Sequence, residues 1–294
     1  MATSIRGSDS PRVAGAFDPA RTGVLAAIVR EPIALAGLVM VASYAAIALV
    51  VGILPLHDPL QLSADRLAAP TAEFPFGTDA LGRDLFSRVL FGARLSMQVA
   101  LLSVAAATAA GTVLGLLSGY LGGIADLVIG RVTDVFFAFP AILLALGIVA
   151  ALGPDPRNVI IAIAVVYTPI FMRVVRGPVL AIKQRDFVEA ARAVGATGTR
   201  IVVRHILPNL LSTLIVQVSL ALSWAVLTEG ALSFLGLSAQ PPAPSWGVML
   251  NEGRQYLEFA VHLAIFPGVA IMIAVLGFNL LGDGLRDALD PQRR

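Results

Sequence analysis

Long apolar runs separated by short polar segments set the pattern of this chain. Six of the runs are long enough to cross a hydrocarbon layer, which takes roughly 20 mostly apolar residues in a helix. They fall near 32–54, 96–121, 134–152, 158–175, 208–229 and 260–282. The pattern predicts an all-α membrane protein of six transmembrane helices. Residues 1–30 are polar and carry Arg6, Arg12, Arg21 and Arg30 without a short apolar core, so the first run reads as a signal anchor and not a cleaved leader. A single membrane domain is expected over 31–291, with tails at 1–30 and 292–294. Three segments fall outside the apolar runs: 55–95, a basic stretch at 176–207, and a Pro-rich stretch at 236–259.

The basic residues orient the chain, because Lys and Arg in short loops favour the cytoplasm. With the N-terminus inside, the cytoplasmic side collects the four N-terminal arginines, Arg131, the run from Arg173 to Arg204, and Arg286, Arg293 and Arg294. Only Arg66, Arg83, Arg88, Arg94, Arg157 and Arg254 fall outside. Both termini are therefore expected in the cytoplasm, with 55–95 and 236–259 external and 176–207 cytoplasmic.

Composition agrees with a membrane protein and removes several functions. Hydrophobic residues make up 57% of the 294 positions and charged ones 14%, against about 25% charged in soluble domains. Mean hydropathy is +0.84. There is no basic stripe with interleaved aromatics to bind nucleic acid. Cysteine is absent, which excludes a disulfide framework, a thiolate nucleophile and a cysteine zinc site. His57, His205 and His262 are too scattered to suggest a metal cage, so no catalytic or metal-binding residue is expected. The one lysine lies in Ile182-Lys183-Gln184, and a P-loop needs a Gly-rich cradle followed by Lys and Ser/Thr. The chain is not expected to be an ATPase or to hold a cofactor.

Four features carry candidate function. Gly111, Gly115 and Gly119 repeat every fourth residue, so one helix face lacks side chains and admits another backbone; the neighbour is either within this chain or on another subunit. In 185–195, Asp186 and Glu189 have capping-box spacing and Gly195 is a natural left-handed stop, framing a helix of about two turns. Phe187, Ala190, Ala191 and Val194 give it a small apolar face, flanked by Glu189 and Arg192. Such a helix suits a groove in a soluble partner or the surface of anionic lipid. Between 76 and 88, Gly77 and Gly82 permit turns, while Thr78, Asp79, Arg83 and Asp84 offer pairing groups; they form a structural clasp or a contact for an arriving protein. Glu229 is an intramembrane acid about 31 Å along the helix from Pro208, at ~1.5 Å per residue, which puts it near the external boundary. It serves either as a hydrogen-bonding group near an external gate or as a substrate contact.

Several of these stretches resemble a known family. Glu189-Ala190-Ala191, three residues, then Gly195 and later Leu207-Pro208 resemble the EAA loop of prokaryotic ABC importer permeases. His205-Ile206-Leu207-Pro208-Asn209 is similar to its form in peptide permeases. The run Phe76 to Arg88 resembles the signature of the dipeptide/oligopeptide/nickel permeases, in particular their C-type subunit. So do Leu232 to Leu237, Pro244-Ser245-Trp246-Gly247 and Asn279 to Pro291. The resemblance implies a type I importer architecture in the bacterial inner membrane, with Asp186, Phe187, Glu189, Ala190, Ala191, Arg192, Gly195, Leu207 and Pro208 coupling to ATPase subunits. It also implies a homologous B-type permease partner, two ATP-binding subunits that hold ATP and Mg, an extracytoplasmic substrate-binding protein, and surrounding lipid. The cargo implied is dipeptide or oligopeptide, with nickel complexes or haem as alternatives. Two other classes lack their signals here. An intramembrane serine protease would need a G-x-S-G nucleophile, and a gradient-driven transporter a midplane carboxylate and inverted repeats.

Overall fold

The computed structural model describes residues 31–289. Among these, the helices are α1 (Pro32–Val50), α2 (Leu85–Leu121), α3 (Gly123–Phe137), α4 (Ala141–Leu152), α5 (Pro156–Ile182), α6 (Asp186–Ala193), α7 (Gly198–Ile201), α8 (Leu207–Phe234), α9 (Trp246–Gly253) and α10 (His262–Leu289). The expected tails at 1–30 and 292–294 and the placement of both termini lie outside the described residues. Five helices or helix runs are long and apolar enough to cross a membrane, or six if the bent pair α3–α4 is one broken span.

That pair corrects the third expected span. The run 134–152 is not one straight helix: α3 and α4 meet at 90° across Ala138-Phe139-Pro140. Proline has no N–H to donate and its ring displaces the preceding turn, so α3 closes with the Ala138 N–H on the Asp134 carbonyl at 3.1 Å. Alone, the 12 residues of α4 reach only about 18 Å, short of the ~30 Å hydrocarbon thickness.

The first span ends near Ile53 as expected, and the four later ones are longer than hydropathy indicates. α2 begins at Leu85, inside the expected external segment 55–95, because the Asp84 carboxylate accepts from the Phe86 and Ser87 amides at 3.2 and 3.1 Å and caps the helix there. α5 runs to Ile182, taking up 176–182 of the expected loop, and α9 occupies the middle of the Pro-rich stretch. α7 continues through a π turn at Val202–Ile206 into α8, a 37-residue run from Gly198 to Phe234.

Packing is set by small residues. The Gly111, Gly115 and Gly119 face lies against α5 of the same chain: a Cβ on Gly115 would stand 2.7 Å from the Met172 carbonyl and the Val175 Cβ, and one on Gly119 2.8 Å from Val179 Cγ1. α1 approaches α10 in the same way, where a Cβ on Gly277 would lie 2.9 Å from that of Met40. Phe171, Ile163, Met172 and Phe278 fill the buried centre. The bundle thus has α6 at one end and the start of α2 at the other.

Candidate functional site

At the first end, α5 gives way to α6 through Lys183-Gln184-Arg185. Lys183 Nζ donates to the Gly119 carbonyl at 2.7 Å, which fixes the turn against the end of α2. The expected capping box does not form: Arg185 occupies the N-cap and no side chain bonds to the free amides. Asp186 and Glu189 instead stand in the first turn, where the helix dipole favours negative charge. The stop is as expected. Gly195 has φ +82°, its N–H donates to the Arg192 carbonyl at 2.9 Å and that of Ala196 to Ala191 at 3.0 Å, a Schellman closure.

The apolar face of α6 is divided differently from the expectation. Val188 and Ala191 point into the protein and are buried, while Phe187 and Val194 are 41% and 85% exposed and Ala190 is exposed beside them. Ala191 therefore belongs to the anchoring face and not to the outward one. The Arg192 guanidinium lies over the Tyr120 ring at 5.9 Å, a cation–π contact that ties α6 to α2. Among the described residues Glu189 has no ion pair or side-chain hydrogen bond and is exposed. Leu207 is half-buried and Pro208 exposed. With no N–H at Pro208, the chain passes the preceding turn as a π turn, and Asn209 Nδ2 donates to the His205 carbonyl at 2.6 Å.

Sequence reading missed one tie at this end. Arg176 on α5 makes a bidentate pair with Asp126 on α3, at 2.6 and 2.7 Å, and Ser118 donates to the same carboxylate. Forked pairs of this kind are among the stronger polar contacts. The signal available was an acid three residues after a Gly-Gly turn, opposite a basic helix end.

At the second end, residues 76–88 form a buried network. Thr78 donates to the Asp65 carbonyl and accepts from the Ala68 amide. Asp79 accepts from Leu81 and Arg83 amides and from Arg83 Nε at 2.5 Å. Arg83 reaches Glu252 of α9 at 3.2 Å. Arg88, fully buried, bonds the Pro59 and Pro242 carbonyls at 3.3 Å and lies 3.5 Å from both Asp79 and Glu252. Two guanidinium groups thus face two carboxylates. Gly77 and Gly82 have φ +78° and +79°, and a Cβ on either would strike the Ala68 or Ser63 carbonyl. The side chains singled out here as partner contacts, Thr78, Asp79, Arg83 and Asp84, are all buried. They shape a surface on which neighbours such as Leu81 are exposed. Arg88, Glu252 and Trp246, whose Nε1 donates to the Val89 carbonyl at 2.8 Å, complete the network. Arg88 and Trp246 lay in the stretches that resemble the permease family, whereas Glu252 carried no sequence signal.

Replacing Asp79 with alanine strands Arg83 and Arg88 with Glu252 alone. The expected loss is about 3–5 kcal/mol, read as a lower thermal midpoint of the solubilised protein. An unchanged midpoint contradicts the network's structural role.

Glu229 is fully buried near the same end. Its carboxylate accepts from Ser96 of α2 at 2.9 Å and from Ser238 and Ser245 at 3.4 Å. The serines enclose it, so it is no open surface for substrate. Among the described residues no group of His, Asp and Glu is placed to hold a metal ion.

Comparison with known proteins follows the same lines. Residues 111–294 match the family described as binding-protein-dependent transport system inner membrane component. The dipeptide transport system permease protein of Alkalihalophilus pseudofirmus is 47% identical over 266 residues, 90% of this chain and 88% of that one. The glutathione transport system permease protein of Pectobacterium atrosepticum is 50% identical over 229 residues, 78% and 76% of the two chains. A chain of the MetNI methionine ABC transporter, in an inward-facing conformation, superposes with a TM-score of 0.58 at 21% identity, covering 70% of this chain and 98% of that one. At that identity the likeness establishes a shared fold.

Proposed function

Since this chain belongs to the family of binding-protein-dependent inner membrane transport components and is the permease subunit of an ABC importer, we propose that it carries short peptides and that α6 is its docking point for the ATPase subunits. The observation that carries the docking reading is the division of α6. Val188 and Ala191 hold the helix to the body, while Phe187, Ala190, Val194 and Glu189, which is unpaired among the described residues, face outward. An apolar patch with one acid beside it matches a groove bearing a basic rim. Glu189, Ala190 and Gly195 are the coupling residues of this reading, with Asp186, Phe187 and Arg192 at its edge, Ala191 as anchor and Leu207-Pro208 at the start of α8.

The α6 end is cytoplasmic in this reading, because Arg173, Arg176, Lys183, Arg185, Arg192, Arg200 and Arg204 gather there. A homologous permease completes the pathway, and two ATP-binding subunits supply ATP and Mg chemistry that this chain, with Lys183 as its only lysine, has no P-loop for. Closure of those subunits draws α6 and its counterpart in the homologous permease together, and the spans convert that movement into alternating access. The opposite, external end receives a substrate-binding protein on the surface that Gly77, Asp79, Gly82, Arg83 and Asp84 hold in shape.

Peptide as cargo rests on the relatives, one named for dipeptide and one for glutathione transport. The test is uptake of radiolabelled dialanine and of glutathione into inverted-control proteoliposomes holding the full complex and its binding protein. ATP-dependent uptake of either, insensitive to ionophores, is expected. ATP-dependent uptake of nickel or haem with none of peptide contradicts the cargo, and ionophore-sensitive uptake without ATP contradicts the mechanism.

A further inference from the structure

Glu229 is the sole charged residue of α8, and it sits where three elements meet. Ser96 brings α2, Ser238 and Ser245 bring the segment before α9, and Ser233, one turn along α8, pairs with Ser245 at 2.6 Å. α9 seats on the same turn of α8, since a Cβ on Gly247 would lie 2.6 Å from Ser233 Cβ. Tyr44 of α1 closes the node. Its ring stacks on Trp246 at 5.5 Å and meets Phe278 edge-on at 6.2 Å, and its hydroxyl is buried. At its other end, the 37-residue run Gly198–Phe234 begins just after Gly195, the stop that follows α6. At ~1.5 Å per residue it reaches about 55 Å.

We propose that Glu229 is the positioning residue through which movement of α6, carried along the α7–α8 rod, reaches the external gate formed by α2 and the 236–253 segment. This rests on the reading of α6 as the coupling helix. A carboxylate offers about four acceptor positions, and each serine or tyrosine hydroxyl turns to suit its acceptor. The node can therefore exchange donors as α8 shifts by the ~1–2 Å typical of helix movements at interfaces. An apolar side chain of similar volume would pack the site without that exchange, and a buried acid is otherwise costly to keep in a membrane helix. Glu229 makes no contact with cargo or nucleotide in this account; it acts by holding α8 to the gate.

The chain has no cysteine, so a single reporter can be placed at Leu235, the 53% exposed residue that ends α8. In the reconstituted complex, the labelling rate of Leu235→Cys by an impermeant maleimide is compared at rest and after trapping with ATP and orthovanadate. A change of at least about fivefold is expected in the parent. Glu229→Gln, which keeps an acceptor and adds a donor, retains it. Glu229→Ala reduces it to less than about twofold while vanadate still arrests ATP hydrolysis, a separation that a merely destabilising change does not give. Should Glu229→Ala fail to assemble, the Ser96→Ala, Ser245→Ala pair decides by the same ratio. Equal labelling in both states of the parent, or an undiminished ratio in the alanine variants, overturns the proposal. The readout needs no cargo, and loss of α6 docking would show instead as vanadate-insensitive, ATPase-free complex, so the two failures are distinct.

Discussion

Reversing the charge at Glu189, as Glu189→Lys, is expected to lower ATP-driven uptake by about 100-fold or more while the chain still inserts and folds. The side chain is exposed and, among the described residues, makes no ion pair or side-chain hydrogen bond, so its loss removes nothing from the permease itself. Against a basic rim on a partner, the same change sets like charges face to face, and breaking a desolvated charge pair at an interface costs roughly 2–5 kcal/mol. At ~1.4 kcal/mol per decade, this is the scale of the expected loss. Gly195→Val should act at the same step by another route. Nothing stands within 4 Å of the added Cβ, so the effect is conformational: φ of +82° places a β-branched residue in the left-handed region, at a cost of about 1–2 kcal/mol, and the α6 stop is lost. Gly195→Asn, which tolerates that region, should keep most uptake. The measurements are uptake and ATP hydrolysis in proteoliposomes, and normal substrate-stimulated turnover in both Glu189→Lys and Gly195→Val contradicts the reading.

Enlarging Gly115 to leucine is expected to prevent assembly altogether. Even a methyl would stand 2.7 Å from the Met172 carbonyl and the Val175 Cβ, and the first of these is backbone that cannot rotate away. Relief requires α2 and α5 to separate along their whole contact. Overpacking of a single site costs about 1–3 kcal/mol, and here the Gly111 and Gly119 contacts on the same face are lost with it. Native gel analysis of the solubilised complex should show no assembled species for Gly115→Leu and a reduced amount for Gly115→Ala. A wild-type level of the leucine variant would mean that these helices are not held at glycine distance.

What the sequence made legible depended on how local its cause is. The stop at Gly195 follows from one residue and its two neighbours, and the structure has it with both Schellman bonds. The spacing of Glu229 from Pro208 follows from counting along α8, which runs unbroken from Leu207 to Phe234. The glycine face was readable as a close contact, though only the fold shows that α5 of this chain supplies it. The direction in which α6 faces was not readable: on a two-turn helix Phe187-Ala190-Ala191-Val194 and Val188-Ala191 are both apolar stripes, and the choice is made by Tyr120 and the rest of the body. Hydropathy averaging smoothed over Pro140 and so joined α3 and α4 across a right angle. It also hid the start of α2, because Arg88 and Arg94 lower the average, while the charge of Arg88 is met by Glu252, far along the chain. The partners of Arg88 and Glu229, at 59, 79, 96, 238, 242, 245 and 252, converge only on folding.

The central claim, that α6 is where the ATPase subunits dock, is tested most directly by cross-linking. A single cysteine at Val194, 85% exposed on the outward face, is compared with one at Val188, which is fully buried, both in a chain that has no cysteine of its own. Whole complexes in native membranes are treated with a short thiol-to-amine cross-linker and the product is identified by mass spectrometry. The account predicts that Val194→Cys joins this chain to an ATP-binding subunit, that the product is lost in the Glu189→Lys background, and that Val188→Cys gives none. Cross-linking of Val194→Cys to lipid or to the second permease, with no ATP-binding subunit recovered, would contradict it.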